Sequence, residues 1–388
     1  MGVVIDYTSG FFEAAPTGET VGSISGNATL DLTSGNVFSH TPTANTTFAF
    51  SNPPSSGTGY DFTLKVTGAN VASGYDIANA SYDSVSFSVN SQDTTPYRVI
   101  FKPDGTKMYV VGLQNDDLYQ YSLSTAWDLS TASYDSVSFS FNGQDNIPIS
   151  AVFNDDGTKL FLVGGTADIV YQYSLSTAYD ISTLSYDSVT FNPSAQTTSP
   201  SGIEFNTDGT IMYLLHAGVT PAIYQYSLST AFDISTASYA SKSFDPSSQG
   251  TQARDIRFNS DGTKLFYISD DASDNVYQYS LSTAFDISTA SYDSVSFSVN
   301  SQASLPVGIF FKSDGTKMYV VDNTTDTVYQ YSTSGTAAAA TIAYPSSVKW
   351  AGGTAPTAPA NGETDVYSFF TTDGGTNYYG FQAGDALA

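Results

Sequence analysis

Few side chains in this chain have the types that acid–base or nucleophilic chemistry needs. The sequence contains no cysteine and only two histidines, His40 and His216, which fall in different predicted domains. A Ser-His-Asp triad or a histidine-rich metal site cannot be assembled from them. Carboxylates are therefore the main candidates for chemistry. Most of the 37 acidic residues are aspartates in turn-rich segments, where Asp usually stabilises turns.

Two carboxylates occupy positions where they could act together. Glu204 and Asp255 stand in a repeated segment, at positions that we predict to face a central axis. Paired carboxylates are the catalytic groups of most glycoside hydrolases. The matching positions of other copies hold Arg98 and Arg257, however, so a buried salt-bridge network that closes the axis is favoured over catalysis. We expect no catalytic residue and no enzymatic activity.

Clustered aspartates could bind calcium through oxygen ligands. The candidates are Asp116 with Asp117, and Asp270 with Asp271 and Asp274. Neither cluster has the spaced acidic loop with a terminal glutamate that calcium loops of the EF-hand type use. We therefore expect neither a metal nor a cofactor.

The composition excludes two classes of partner. The 37 acidic residues outnumber 12 basic residues, which gives a net charge of −25 and disfavours binding to nucleic acid or to anionic lipid. The start of the chain lacks a basic segment followed by an apolar one, and no long apolar stretch occurs elsewhere. We expect neither a signal peptide nor a membrane span.

Strands must position these side chains. The 28 Tyr, 25 Phe and 31 Gly favour β-sheet and tight turns over helix. A Tyr-Gln-Tyr tripeptide and an Asp-Gly pair recur together every 52 or 53 residues, and a fixed period of this size indicates a repeated structural unit. The Asp-Gly pairs begin at Asp104, Asp156, Asp208, Asp261 and Asp314.

Each copy is predicted to hold four short antiparallel strands, called A to D from the axis outward. Asp-Gly between two apolar runs is a strong hairpin signal, and four strands in a unit of this size is the pattern of a propeller blade. The last copy ends after Tyr331 without a strand D, whereas a strand over Tyr82–Val89 precedes the first copy. Because that leading strand can complete the last blade, the sequence predicts a closed five-bladed β-propeller.

The segments on both sides of the ring also alternate apolar and polar residues, as in Tyr60–Val66, which indicates strands. We predict an all-β protein in which the propeller is inserted into a β-sandwich-like domain. The predicted boundaries are an N-terminal attachment arm over 1–23, the two sandwich halves over 24–73 and 334–388, and the propeller over 74–333.

Loops at one face of the ring differ from copy to copy. The B–C and D–A loops vary in length and chemistry, whereas the Asp-Gly turns and the Leu-Ser-Thr-Ala connections hardly change. We predict a ligand- or partner-binding surface on this variable face, with neutral drift of loops as the alternative. Its candidate residues are Tyr97, Asp116, Asp117, Asp168, His216, Asp270, Asp271, Asp274, Asn323 and Asp326.

Two resemblances extend this interpretation. The connection Leu123–Tyr134 and its copies resemble propeller repeats of environmental bacterial and phage proteins of unknown activity. Outside the ring, the segments Leu30–Phe38, Asn45–Pro54 and Ser347–Pro356, and the ending Phe369–Gly375, resemble a small β domain that is common in tailed-phage structural proteins, especially fibres and appendages.

The second resemblance implies a non-enzymatic phage virion protein, assembled in the host cytoplasm. It would be a tail fibre or appendage, or a capsid-surface decoration, that displays the propeller for recognition of a host surface or a protein. Expected partners are other virion proteins, bound through the sandwich and the N-terminal arm, and a host glycan or protein. Several copies or a homo-oligomer are expected on the particle. The alternatives are a glycoside hydrolase-like enzyme and a bacterial surface adhesin.

Overall fold

The regular secondary structure described for this protein consists of β-strands and a few short 3₁₀ helices, in two compact units. The computed structural model describes residues 3–5, 12–14, 19–20, 26–42, 46–72, 74–218, 220–333, 335 and 337–387. One unit is Gly74–Gly335, and the other combines Met1–Ser73 with Thr336–Ala388. No helix within the described residues is long and apolar enough to cross a membrane.

The first unit is a ring of five four-stranded antiparallel sheets, which confirms the predicted propeller. In the order A to D, blade 1 contains Pro96–Phe101, Lys107–Gly112, Asp117–Leu123 and Ala132–Ser140, and blade 2 contains Pro148–Phe153, Lys159–Gly164, Ile169–Leu175 and Leu184–Phe191. Blade 3 contains Pro200–Phe205, Ile211–His216, Ala222–Leu228 and Ala237–Phe244. Blade 4 contains Ala253–Phe258, Lys264–Ser269, Asn275–Leu281 and Ala290–Ser298, and blade 5 contains Pro306–Phe311, Lys317–Asp322, Thr327–Ser332 and Ser81–Ser88.

The ring closes by pairing its first strand with its last blade. Ser81–Ser88 is antiparallel to Thr327–Ser332, with Tyr82 opposite Tyr331. The predicted closure and the predicted number of blades are therefore both confirmed. Because this closing strand comes from the N-terminal end of the unit, backbone hydrogen bonds hold the two ends of the ring together.

The repeated Asp-Gly turns have a structural explanation. Gly105 has a φ of +72°, and a Cβ placed on it would lie 2.3 Å from the Trp127 ring nitrogen. Trp127 itself has a positive φ of 67° and donates its backbone N–H to the Gly105 carbonyl at 3.1 Å. The propeller therefore needs glycine at position 105, both for the backbone conformation of the turn and for the close approach of the Trp127 side chain.

Short 3₁₀ helices in the C–D connections link neighbouring blades. The Gln120 side chain of blade 1 accepts a hydrogen bond from the Ile181 N–H of blade 2 at 3.4 Å and donates to Asp135 at 2.9 Å. The corresponding glutamines of blades 2, 3 and 5 accept from the next connection in the same way. Four of these helices lie in C–D connections, Leu129–Thr131, Ile181–Thr183, Ile234–Thr236 and Ile287–Thr289. A fifth, Ile77–Asn79, directly precedes the closing strand Ser81–Ser88.

The core of the ring lies between adjacent blades. Tyr109 and Val111 of blade 1 pack with Leu160 and Leu162 of blade 2 in one buried cluster, and equivalent clusters join the other blades. Burying side chains between sheets in this way removes apolar area from water on both sides of every blade. A blade is therefore stable only with its neighbours present.

The second unit contains a six-stranded and a three-stranded sheet. The six-stranded sheet has the order Glu19–Thr20, Val37–His40, Tyr60–Thr67, Thr364–Thr371, Tyr378–Leu387 and Val348–Trp350, and the three-stranded sheet has the order Ile342–Ala343, Thr46–Ser51 and Gly26–Asp31. Further short strands are Val3–Ile5 with Phe12–Ala14, and Asn70–Ala72 with Ala337–Ala339, and a 3₁₀ turn covers Ala351–Gly353.

Aromatic side chains join the two sheets of this unit. Phe50 packs against Phe62 and Phe369, with ring centroids 5.0 and 5.3 Å away. Because Tyr60–Thr67 pairs with Thr364–Thr371, strands from both ends of the chain share one sheet. Most of the N-terminal arm predicted over 1–23 lies outside the described residues.

If the ring is an independent unit, a fragment of residues 74–335 will melt in one cooperative transition, because it retains the closing strand. A fragment of residues 90–335 lacks Ser81–Ser88 and leaves the buried Val328 and Tyr331 exposed at an open edge. We expect the shorter fragment to melt at a lower temperature or without a cooperative transition. Circular dichroism and calorimetry measure both, and a longer fragment without a cooperative transition would contradict the domain boundaries.

Candidate functional site

The axis of the ring is lined by two layers of strand A residues. Every strand A contains a one-residue register shift near its start, as between Pro96 and Arg98, and such bulges re-aim the side chains that follow. The upper layer, nearer the D–A loops, is Arg98, Ser150, Gly202, Asp255 and Gly308. The lower layer, nearer the A–B turns, is Ile100, Val152, Glu204, Arg257 and Phe310.

Four charged side chains from these layers meet, which we call the axial cluster: Arg98, Glu204, Asp255 and Arg257. Arg98 forms an ion pair with Asp255 and donates to the Ile203 carbonyl at 3.1 Å. Asp255 also accepts the backbone N–H of Ile309 at 3.0 Å. The arginine of blade 1 therefore crosses the axis to reach blades 3 and 4.

The lower part of the cluster is centred on Glu204. Its carboxylate accepts from Arg257 at 2.5 Å and from Arg98 at 3.5 Å. Arg257 also donates to the Ile309 carbonyl at 3.1 Å, and its guanidinium lies over the Phe310 ring, 4.7 Å from the centroid. The structure thus brings together the four side chains that the sequence analysis proposed for an axial salt-bridge network.

The lower-layer residue Glu204 is the most exposed member of this cluster. The Glu204 side chain is 14% exposed, whereas those of Arg98 and Asp255 are each 1% exposed. Burial raises the pKa of Glu204 above its usual value, although Arg257 and Arg98 oppose that shift. Burial, and then the neighbouring Arg257, lowers the pKa of Arg98 to about 10, so Arg98 stays charged at neutral pH.

Three buried donors of the axis have no hydrogen-bond partner. They are Arg98 Nε, Arg257 Nη2 and Ser150 Oγ. The sequence prediction included both arginines but missed Ser150 as a site residue. Ser150 could have been found from its position in strand A of blade 2, because Arg98 and Asp255 occupy the same position in blades 1 and 4.

Several predicted residues of the variable face stabilise their own loops. Asp116, Asp274 and Asp326 adopt positive φ at the end of the B–C loop, and each carboxylate accepts a hydrogen bond from an asparagine that follows strand D. These asparagines are Asn142, Asn300 and Asn90. Asp168 occupies the same turn position in blade 2, with a φ of 56°.

The other candidates are spread over different blades. His216 shares a 2.8 Å hydrogen bond with Thr197, Asp270 is paired with Arg254, and Asp271 accepts the Ser273 N–H at 3.2 Å. Asn323 donates to the Pro96 carbonyl at 3.1 Å. The backbone of Asp117 pairs with Gly112, and Tyr97 occupies the strand A bulge of blade 1. A recognition role for this surface stays a prediction.

No metal centre is formed by the part of the chain that the structure describes, because no group of three His, Cys, Asp or Glu side chains within it could hold an ion. The aspartates of the two candidate calcium loops are instead distributed between ion pairs and loop hydrogen bonds, as Asp270 and Asp116 show.

Loop variation on this face includes a compensated exchange that the sequence analysis missed. In blade 1, the buried Asp93 accepts the Thr95 N–H at 2.7 Å and the Asn115 N–H at 3.4 Å. In blade 5, Asp322 accepts the corresponding N–H groups of Leu305 and Thr325, both at 2.8 Å. The carboxylate accepts equivalent hydrogen bonds in both blades. It belongs to a residue of the D–A loop in blade 1 and to the last residue of strand B in blade 5.

The residues opposite these carboxylates change with them. Gly112 faces Asp93, and a Cβ on Gly112 would lie 2.3 Å from the Asp93 carboxyl carbon. The matching residue in blade 5 is Asp322, and the residue that matches Asp93 is Ala303. Variation at these positions therefore maintains the loop and gives no sign of a ligand.

Comparison with known proteins gives a family. A family model described as Lactonase, 7-bladed beta-propeller matches residues 81–286, more than half of the 388-residue chain. The matched segment contains all four charges of the axial cluster and also Ser150. The ring nevertheless closes with five blades and not seven. No curated protein sequence matches the chain.

Matches among solved structures include two candidate 6-phosphogluconolactonases. One, from Bacteroides uniformis, is 14% identical with a TM-score of 0.37 and covers 53% of this chain and 55% of its own. The other, from Bacteroides fragilis, is 13% identical with a TM-score of 0.38 and covers 58% of this chain and 62% of its own. This chain thus spans less than two thirds of either structure, and neither likeness bears on activity.

The expectation of a non-enzymatic phage virion protein is wrong. The family match is to lactonases, an enzyme family, and nothing in the comparisons points to a tail fibre, appendage or capsid protein. The inference failed because it rested on short segments outside the ring, whereas the matched residues lie in the ring. The expected virion localisation and the expected virion partners were inferred from the same resemblance, so they no longer have support.

Moving the carboxylate of blade 1 from position 93 to position 112 tests whether that carboxylate has a structural role. Asp93→Ala leaves backbone N–H groups without an acceptor, and Gly112→Asp brings two carboxylates into contact, so each should lower the free energy of unfolding by about 1–3 kcal/mol. The double variant copies blade 5 and should recover most of that loss. Denaturant unfolding of the three variants measures this, and additive losses in the double variant would refute the exchange.

Proposed function

We propose that this chain, which belongs to the lactonase family of seven-bladed β-propellers, is a hydrolase that opens a lactone ring at the axial cluster. The observation that carries the proposal is the position of Glu204. It is a partly exposed carboxylate in contact with two arginines, and it lies inside the segment that matches the family.

Lactone hydrolysis requires a base for water and a donor for the developing oxyanion. In this proposal Glu204 takes a proton from water, whose oxygen forms a bond to the lactone carbonyl carbon. The negative charge that develops on the carbonyl oxygen is stabilised by the Arg257 guanidinium, which already contacts Glu204.

Collapse of the tetrahedral intermediate breaks the bond between the carbonyl carbon and the ring oxygen. The proton held on Glu204 passes to that oxygen, so the alcohol and the carboxylic acid of the product are released in one open-chain molecule. The acid then ionises in solution, and Glu204 returns to its starting state. Arg98 and Asp255 hold this arrangement, because Arg98 contacts both carboxylates.

The steric surroundings of Glu204 favour a small substrate. Ile100 and Val152 stand at the matching positions of blades 1 and 2, and both are buried. Phe310 covers the face of Arg257. A short aliphatic or hydroxylated lactone fits a site with one charged side and one apolar side better than a polymeric sugar does.

Replacement of the base tests the proposal. Glu204→Gln keeps the shape of the side chain but cannot accept a proton, so kcat for lactone hydrolysis should fall by 10² or more. Release of acid from γ-butyrolactone, δ-valerolactone and glucono-δ-lactone, followed in a pH-stat, measures the rate. The matched control is Glu363→Gln, at an exposed glutamate in the other unit. Absence of hydrolysis by the wild type, or full activity of Glu204→Gln, would contradict the proposal.

The pH dependence gives a second test. The charged groups that face Glu204 are Arg257, Arg98 and Asp255. Because burial raises the Glu204 pKa and only the ionised carboxylate is a base, kcat/KM should fall as the pH drops through a value above about 4.3, the usual Glu pKa. Removing a cation with Arg257→Gln should move this acid limb to higher pH. An acid limb that stays in place in Arg257→Gln would exclude Glu204 as its origin.

A further inference from the structure

Three side-chain hydrogen-bond donors at the axis are buried without a hydrogen-bond acceptor, which is unusual in a folded protein. Arg98, Ser150 and Arg257 are 1%, 0% and 6% exposed, yet Arg98 Nε, Ser150 Oγ and Arg257 Nη2 make no hydrogen bond. Most buried polar groups in proteins are hydrogen-bonded, and an unpaired one is destabilising, more so when it is charged. Three such groups on the A strands that line the axis point to a ligand.

The three donors belong to strand A residues of both axial layers, Arg98 and Ser150 to the upper layer and Arg257 to the lower one. Arg98 reaches from blade 1 to the Ile203 carbonyl of blade 3 and to Asp255 of blade 4. Ser150 belongs to blade 2, between blades 1 and 3, and pairs with strand B in the same register as Arg98 does. Arg257 extends from blade 4 to Glu204 of blade 3, the residue that Arg98 also contacts.

The chemistry of these groups restricts the ligand. Guanidinium nitrogens can only donate, so they require acceptor oxygens, and the serine hydroxyl can donate as well. Two of the three donors belong to arginines, whose planar groups suit the paired oxygens of a carboxylate. The neighbouring Ile100 and Val152 side chains are apolar and buried, which favours a carboxylate that carries a short carbon chain.

We propose that the axial cluster, together with Ser150, binds the carboxylate of a short-chain hydroxy acid through Arg98 Nε, Arg257 Nη2 and Ser150 Oγ. The binding site itself follows from the unpaired donors. The choice of a hydroxy acid rests on the proposed function, because opening of a lactone produces a carboxylate and a hydroxyl in one molecule. Such a ligand would act as a product inhibitor of lactone hydrolysis.

The experiment measures binding of 4-hydroxybutyrate to the full chain by isothermal titration calorimetry. The wild type should bind it, and the neutral 4-hydroxybutyramide should bind at least tenfold more weakly, because the amide lacks the charge that the arginines recognise. Chloride and inorganic phosphate are titrated in parallel. Equal binding of the amide, or of chloride, would overturn the carboxylate assignment.

Ser150→Ala removes one donor without touching the arginines. Its position is held by glycine in blades 3 and 5, so a small residue there is compatible with the ring. We expect about a tenfold loss of affinity for 4-hydroxybutyrate, the size of one hydrogen bond to a charged group. The matched control is Ser138→Ala, at an exposed serine of strand D in blade 1, which should bind like the wild type. Unchanged affinity in Ser150→Ala would refute the site.

Inhibition separates this inference from the proposed function. If γ-butyrolactone is hydrolysed and 4-hydroxybutyrate inhibits competitively, with a weaker inhibition constant in Ser150→Ala, both are supported. Hydrolysis without any binding of 4-hydroxybutyrate would overturn the carboxylate site and leave the lactonase proposal intact. Binding that depends on Ser150, without hydrolysis of any lactone tested, would support the site and count against the lactonase proposal alone.

Discussion

The pairing of Ser81–Ser88 with Thr327–Ser332 is the interaction on which the rest of the ring depends. It adds a strand from the start of the unit to its last blade and so fixes the number of blades at five. The number of blades determines how closely the five A strands approach the axis. With so few blades, side chains from blade 1 can reach blades 3 and 4, as Arg98 does. The axial cluster is therefore a consequence of closure at five.

Burial at the axis explains why this cluster is chemically distinct from the other ion pairs of the protein. Lys107 and Asp135, for example, are 32% and 15% exposed, and their attraction is weakened by solvent. Arg98 and Asp255 are almost fully buried, so removing Arg98 would leave the Asp255 carboxylate without its ion-pair partner in a medium of low dielectric constant. The same burial leaves three donors without partners. A site that stabilises charge and still offers free donors is suited to anionic oxygen.

Most of the ring could be predicted from the sequence because its signals are local and repeated. The Asp-Gly turns, the fixed period and the missing last strand D determine the blades and the closure, and the strand positions of Arg98, Glu204, Asp255 and Arg257 identified the axial charges. The sequence could not show that Arg98 Nε or Ser150 Oγ lacks a partner, since that depends on side-chain orientation in three dimensions. Nor could flanking segments reveal the family, which is carried by residues 81–286.

Differences among the copies were the harder signal to interpret, and blade 3 shows why. In the other blades a strand D aspartate accepts hydrogen bonds from the strand C glutamine, as Asp135 does from Gln120, and it also pairs with a strand B lysine. Blade 3 has Ala240 and Ile211 at these two positions, so both partners of the ion pair are replaced together.

A different ion pair takes over in blade 3. Lys242 lies two residues beyond Ala240 and contacts Asp286 of blade 4 at 2.7 Å, the residue whose side chain caps the next 3₁₀ helix. A link within one blade is thus replaced by a link between two blades. Together with the exchange of Asp93 and Gly112 for Ala303 and Asp322, this shows that variation between repeats need not mark a binding surface. Variation between repeats is a stronger argument for a binding site where, as at Ser150, the side-chain hydroxyl has no hydrogen-bond partner in the fold.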